Sequence, residues 1–378
     1  MPRPFLRIGA VLLALVSAAA ASPRVGDAAL KPLSFSDLPG WAEDDHEAAF
    51  AAFRRTCEAV VADKPALRPA AATGDDLRAV CAAALSEPGP ARAFFETRFA
   101  PFEVVPPSGR GFLTGYFEPE YEGSLVPDPA FPTPLLARPD DLVTLAQGET
   151  LPGLDPALQA ARRTQDGFEP YPDRAAIEDG ALGTQARPIV WLRDPVDALI
   201  VHVQGSARIR LPDASVIRVA YAGRNGHPFT AVGRILVERG HVPLAEMNLE
   251  RLTGWLKANP AEGREIIRRN RSYIFFRLAQ ELDPADGPIG GAGVPLIPGR
   301  SLAVDRTLWS YGLPVWLEGT LPVPGGTEPL ARLTIAQDTG SAIVGPARGD
   351  FFTGSGAEAG TRAGLIRSPV RFVVLRPR

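Results

Sequence analysis

Between residues 42 and 99 the apolar positions recur three and four apart, the spacing of a helix face. Ala48, Ala49, Phe50, Phe53 and Cys57 share one such face, and Leu77, Val80, Cys81 and Leu85 share another. Asp75 and Asp76 stand where a helix start takes negative charge. From Phe102 the period shortens. The stretch 112–117 reads as a strand whose glycine, Gly115, lets something approach closely. Residues 124–190 are rich in Pro, Gly and Asp and predict few strong elements. The runs 189–192 and 199–203 read as strands, with Asp194-Pro195 as a turn between them. Residues 207–211 and 216–221 alternate apolar with polar around the turn 212–215, which predicts a hairpin whose Arg210 and Arg218 sit on a solvated face. A helical block follows. Pro228 suits a first helical position, Val232, Ile235 and Leu236 fall on one face, and Gly240 ends it. Asn248 suits the cap of the next helix, and 259–262 reads as a capping box before Ile266 and Ile267. The last third returns to short apolar runs at 301–304, 314–317, 333–336 and 372–375, with Gly or Pro in every connection. That pattern predicts a compact β-barrel.

Composition sharpens this picture. The 378 residues include 37 glycines and 39 prolines, too many helix breakers for a long helical bundle and without the period of collagen. Hydrophobic residues make up 45% and charged residues 22%, which excludes wholesale disorder. A net charge of −3 gives no basic excess for nucleic acid. Residues 1–21 read as an export signal: Arg3 and Arg7, an apolar core at 8–16, then small residues at 17–21. That core is too short to cross a bilayer, so no transmembrane span is expected. No cysteine follows it to take a lipid anchor. Cys57 and Cys81 are a disulfide candidate in an oxidising compartment, with two free thiols as the alternative. The four histidines, at 46, 202, 227 and 241, are scattered, and no metal or other cofactor is expected.

Two carboxylates carry the chemistry candidates. Asp338-Thr339-Gly340-Ser341 has the motif of pepsin-like aspartic proteases, but such an enzyme needs two of these motifs and the chain has one. Asp350 follows on a Gly-rich segment and precedes Phe351 and Phe352. A carboxyl beside aromatic surface is partly desolvated, which raises its pKa and suits a general acid. The plainer reading is that both aspartates tie down turn backbone.

Taken together, the motifs 114–119, 203–206, 221–229, 270–276, 287–290, 294–305, 336–340 and 348–350 resemble the membrane-bound lytic transglycosylase A family of peptidoglycan-cleaving enzymes, in the family's order. The closing part resembles its three-aspartate (3D) domain, about 285–376, with Asp305, Asp338 and Asp350 as the three carboxylates. The resemblance implies a mainly β protein with flanking helices: a double-psi β-barrel main domain (22–124 and 226–378), a smaller inserted β-barrel (125–225), and a groove between them for the glycan strand. It implies Asp350 as the catalytic acid and base, with Asp338 assisting. Thr114, Gly115, Tyr116, Gln204, Gly205, Ser206, Asn225 and Gly340 would bind the sugar. The partners implied are peptidoglycan glycan strands in the periplasm; membership of a wall-synthesis complex stays open. Ala207 and Ser341 stand where family motifs often carry glycine, and many family members have the lipid-accepting cysteine that this signal lacks. Barrels of this kind also occur in proteins that bind polysaccharide without cleaving it, so a non-catalytic wall-binding protein is the alternative.

Overall fold

Strict alternation of side chains along the C-terminal strands decides where the main core lies. In the strand 314–323, Val315 and Leu317 point into a barrel, while Trp316 between them packs outward on helices. In the strand 326–338, Ala336 points in while Leu333 and Ile335 meet the same helices. A slip of one residue would exchange the two faces, so burial on both sides fixes the register.

The computed structural model describes residues 23–87, 89–146, 148–280, 282–283 and 286–378. The export signal read at 1–21 lies outside the described residues. The strands that position the site are, in chain order, β1 (Gly111–Glu118), β2 (Glu120–Ser124), β3 (Thr133–Leu136), β4 (Pro188–Leu192), β5 (Ser206–Arg210), β6 (Val216–Arg224), β7 (Ile274–Leu278), β8 (Ser301–Val304), β9 (Pro314–Val323), β10 (Gly326–Asp338), β11 (Arg348–Ser355) and β12 (Arg367–Pro377). The large barrel runs β1, β11, β8, β10, β9, β12 and closes where β12 pairs with β1. Pairs β1–β11 and β8–β10 are parallel and the other four antiparallel. This is the main barrel that the resemblance implied.

The second unit is a six-stranded sheet in the order β7, β6, β5, β2, β4, β3. A bridge between Ala137 and Phe276 joins its two edges, so it too curls into a barrel. Its strand β7 lies beyond residue 225, where the sequence reading ended the insert, because Val219, Ala220 and Tyr221 of β6 need a partner and find it in 276–278.

Three helices, His46–Val61, Asp75–Ser86 and Ala91–Arg98, cover the outer face of the large barrel. Phe50, Phe53, Phe94, Phe95 and Phe99 form one aromatic cluster there. Cys57 and Cys81 are bonded and join the first two helices. Closing that loop of 24 positions stabilises the fold by about 3 kcal/mol on a chain-entropy argument. Gln337 locks the same layer to the barrel: its Nε2 donates to the Ala52 carbonyl at 2.9 Å and its Oε1 accepts from Ser301 Oγ at 2.5 Å.

Several expectations need correction. Residues 199–203 are helical, within Pro195–Gln204, although their side chains favour a strand. Asp194 is the N-cap of that helix, accepting from the Val196 and Asp197 amides at 2.8 and 3.0 Å, Pro195 fills the first position, and Gly205 ends it at φ +82°. Capping at both ends outweighs β-propensity here. Pro228 opens no helix; the next one is Val232–Glu238. Asn259 forms no capping box, because its Nδ2 donates backwards to the Trp255 carbonyl at 2.9 Å. Arg218 is buried, not solvated: with Arg208 it grips Glu118, which is fully buried, at 2.7 and 2.9 Å. Arg210 stays exposed and pairs with Glu120. The stretch 124–190 holds more structure than its composition suggested, including strands at Ala160–Thr164 and Gly167–Pro170.

Candidate active site

Asp350, on its Gly-rich segment, does not tie down a turn. It sits within β11, opposite Thr114 on β1 and Ala303 on β8. A strand flanked on both sides holds its Cα more firmly than a loop would. Its Oδ1 accepts a hydrogen bond from Thr114 Oγ1 at 2.5 Å, and that hydroxyl in turn accepts from Arg348 Nη2 at 2.7 Å. Protein surrounds the carboxyl on most sides while one face remains partly open to solvent. Burial pushes it up to about 6; the Thr114 hydrogen bond and the Arg348 charge pull it back, and the charge of Asp338 adds to the rise. Burial also lowers the Arg348 guanidinium, against the pull of Asp350.

Asp338 ends β10. Its Oδ1 accepts from the amides of Gly291 and Thr339 at 2.7 and 2.8 Å. Burial raises its pKa, while those two amides, the Arg68 charge and the Tyr116 hydroxyl oppose the rise. Tyr116 is buried against Phe352, with ring centroids 5.2 Å apart. Its hydroxyl faces Asp338 without a hydrogen bond of normal geometry. Burial first, then the two carboxylates, push this phenol well above its ordinary value, so it stays protonated.

The mouth between the barrels is lined by Tyr116, Gln204, Gly205, Ser206 and Asp338, joined by Arg68 and Tyr221. Gln204 Oε1 accepts from the Phe117 amide at 3.1 Å, tying the end of the 195–204 helix to β1. Asp350 and Thr114 lie one alternation along the same strand pair from Phe352 and Tyr116. The structure thus brings together Thr114, Tyr116, Gln204, Gly205, Ser206, Asp338 and Asp350.

It does not bring in the rest. Asn225 is fully buried: its Oδ1 accepts from the Tyr273 amide at 2.9 Å and its Nδ2 donates to the Pro172 and Arg271 carbonyls at 3.0 and 2.9 Å. With its polar atoms taken by backbone, it has none to offer a sugar. Gly115 is required by packing, since a Cβ there would lie 2.8 Å from the Cα of Ala363 in the helix Gly356–Leu365. Gly340 is tight against Ile343, whose amide bonds back to its carbonyl at 3.0 Å. Asp305 is a turn aspartate, its Oδ1 accepting from Thr307 and its Oδ2 from the Gly345 amide at 2.7 Å. Phe351 and Phe352 are core residues. His227 bonds the Tyr171 carbonyl at 2.7 Å. Among the described residues no group of three or more His, Cys, Asp or Glu could hold a metal.

The sequence reading missed Arg68, Arg348 and Gly291 as parts of the site. Arg348 was visible as the neighbour of Asp350, two positions away and so on the same face of a strand. Arg68 gave no local signal, because only the tertiary fold carries the segment after the first helix across to the groove.

Residues 112–277 match the MltA specific insert domain and residues 300–376 match the 3D domain. The crystal structure of a membrane-bound lytic murein transglycosylase from Agrobacterium tumefaciens superposes with a TM-score of 0.82 at 39% identity, covering 92% of this chain and 98% of that one. The chain belongs to the membrane-bound lytic murein transglycosylase A family. A family member from Neisseria gonorrhoeae superposes with a TM-score of 0.75 at 30% identity, covering 93% of both chains. The Vibrio cholerae membrane-bound lytic murein transglycosylase A is 32% identical over 262 residues, 68% of this chain and 62% of that protein. The chain therefore matches less than two thirds of the length of that curated relative. Among the described residues no helix is long and apolar enough to cross a membrane.

Proposed function

We propose that this protein is a lytic transglycosylase. It would cleave the β-1,4 bond between N-acetylmuramic acid and N-acetylglucosamine of peptidoglycan and leave 1,6-anhydromuramic ends, with Asp350 as sole acid and base. The observation that carries the reading is a carboxyl pushed up to about 6, fixed in the barrel wall by Thr114 and Arg348 and near enough to Asp338 and Tyr116 of the groove mouth to interact with both. The family's name supports it.

Protonated Asp350 gives its proton to the glycosidic oxygen as the C1–O4 bond breaks. The C6 hydroxyl oxygen of the muramic sugar then forms the new bond to C1 and passes its proton to the Asp350 carboxylate. The acid is restored and no water is consumed. A glycosidase that uses water needs a second carboxylate as base or nucleophile. Here Asp338, held by two amides, is left to orient substrate and to stabilise positive charge developing at C1. The export signal read at 1–21 and the family's substrate support a periplasmic location. The large barrel carries the acid and the smaller one forms the opposite wall of the groove.

Mass analysis of sacculi digested with the mature protein tests the reaction. Anhydro-ended muropeptides, one water lighter than hydrolysis products, are expected; reducing ends alone would refute it, and no cleavage at all would leave the wall-binding reading standing. Asp350→Asn should still bind glycan and lose cleavage by about a hundred- to ten-thousandfold, in line with removal of a general acid.

A further inference from the structure

A charged feature of the groove wall remains unused by this mechanism. Arg68 comes from the segment that links the first two helices, and it lies in the cavity with Asp338 and Tyr116. Its guanidinium sits over the Tyr221 ring at 5.4 Å and donates to the Thr339 carbonyl at 2.9 Å. Arg306 reaches the same segment, donating to the Pro69 carbonyl at 2.7 Å. Arg224, at the end of β6, is buried and bonds Ser341 and Gln159. The partners of all three are carbonyls, a hydroxyl and a side-chain amide. Among the described residues none of them forms an ion pair with a carboxylate, whereas most other arginines of the chain do.

Such an arrangement is costly without an anion. Burial and mutual repulsion lower Arg224 to about 10 and lower Arg306 as well, each feeling the charge of Arg68. A guanidinium nevertheless stays charged at neutral pH. The one carboxylate that Arg68 faces, Asp338, already accepts two backbone amides. The segment is held rigidly, with the Arg68 amide bonded to the Gly291 carbonyl at 3.0 Å and its own carbonyl accepting from Tyr311 at 3.0 Å. Arg68 is therefore preorganised, and it faces a groove whose neutral sugar rings do not require it, with Arg224 and Arg306 behind it.

We propose that Arg68, backed by Arg306 and Arg224, is a carboxylate-recognition subsite that takes the acidic lactyl-peptide branch of a muramyl residue bound next to the cleaved linkage. The proposal rests on the transglycosylase reading. Planar guanidinium forks pair with carboxylates in two-point geometry, and low exposure strengthens the attraction. The subsite gives the groove a polarity: a muramyl unit is accepted at this position, and an unbranched N-acetylglucosamine unit gains nothing there.

Binding is measured on the Asp350→Asn protein, with three probes: a neutral β-1,4-linked N-acetylglucosamine hexamer, glycan strands stripped of peptide but keeping the lactyl carboxylate, and glycan strands with peptides intact. Arg68→Gln and, separately, Arg306→Gln should weaken binding of the carboxylate-bearing strands about tenfold and flatten its salt dependence. The neutral hexamer should bind all variants alike, and Arg68→Lys should recover part of the loss. Loss on the peptide-bearing strands only assigns the contact to the peptide carboxylates; loss on the stripped strands only assigns it to the free lactyl carboxylate, which in intact strands is tied up as an amide; loss on both shows that Arg68 takes whichever carboxylate the branch presents. Equal weakening toward all three probes, or toward none, overturns the subsite while sacculus cleavage by the wild-type protein still upholds the transglycosylase. Absence of that cleavage brings down the underlying reading itself.

Discussion

At the level of single residues, the acidity of Asp350 links chemistry to stability. Its carboxyl is held at about 6 by burial, against Thr114 and Arg348, with Asp338 pushing the other way. As a general acid it must start protonated, so kcat/KM should fall as pH rises through about 6. Arg348→Met removes the cation that favours the carboxylate, and the falling limb should move to higher pH; a limb that stays in place would show that Arg348 does not act on the acid. The same shift has a thermodynamic sign. An unfolded aspartate titrates near 3.8 and the folded one near 6. The native state therefore holds the proton more tightly, and stability falls as pH rises between these values. Asp350→Asn abolishes that penalty. Its Tm should exceed that of the wild type at pH 7.5, by the equivalent of about 1–3 kcal/mol, and the difference should vanish near pH 4. Thermal melts across that range decide the matter.

Among the elements, the helix Pro195–Gln204 shows what sequence pattern does and does not reveal. Its interior, Leu199 to Val203, has the composition of a strand, and only its ends declare a helix. Asp194-Pro195 and Gly205 were in view but read as turn and motif glycine. Because this helix ends at Gln204, its capping places the side chain that bonds the Phe117 amide. Asp194→Ala should cost about 1–2 kcal/mol and raise KM through displaced Gln204, as denaturant melts and steady-state kinetics would record. The C-terminal strands were legible as short apolar runs, because burial on both faces leaves few polar positions in their middles. The acid strand itself was not legible as a strand, since glycines at 349 and 354 mask its period. Gly349 is glycine because a Cβ would press on Leu302 and Leu113 inside the barrel at 3.0 and 3.1 Å. Motif glycines thus serve the barrel more than the sugar. Gly115→Ala is the sharp case: the new methyl meets backbone in the 356–365 helix, and a loss of about 1–3 kcal/mol is expected from overpacking. Full stability in that variant would mean the helix is free to move away.

Across the whole molecule, the joint between the two barrels is ionic. Glu118 ends β1, two residues before β2 begins the second sheet, and it holds Arg208 and Arg218 of that sheet together with Ser355 Oγ of β11 at 2.8 Å. Charges so deeply placed stabilise little in themselves, but losing one partner strands the others. Glu118→Ala should destabilise by about 3–5 kcal/mol, and a shift in small-angle scattering should show the barrels turning relative to each other. Glu118 was quoted in the sequence motif and its role could not be read there, because its two arginines lie far along the chain, on the hairpin that the pattern painted as exposed.

The bond between Cys57 and Cys81 has a consequence for when the protein becomes competent. The loop it closes is the stretch that carries Arg68 over the groove. While both residues are still thiols, as in a newly made chain, the barrel and its acid can form, but the loop is tethered only through its two helices and backbone contacts. Oxidation would then fix the loop that carries Arg68 without touching Asp350. A chain kept reduced should cleave slowly, and with little preference for branched over bare glycan, until air or an oxidase completes it.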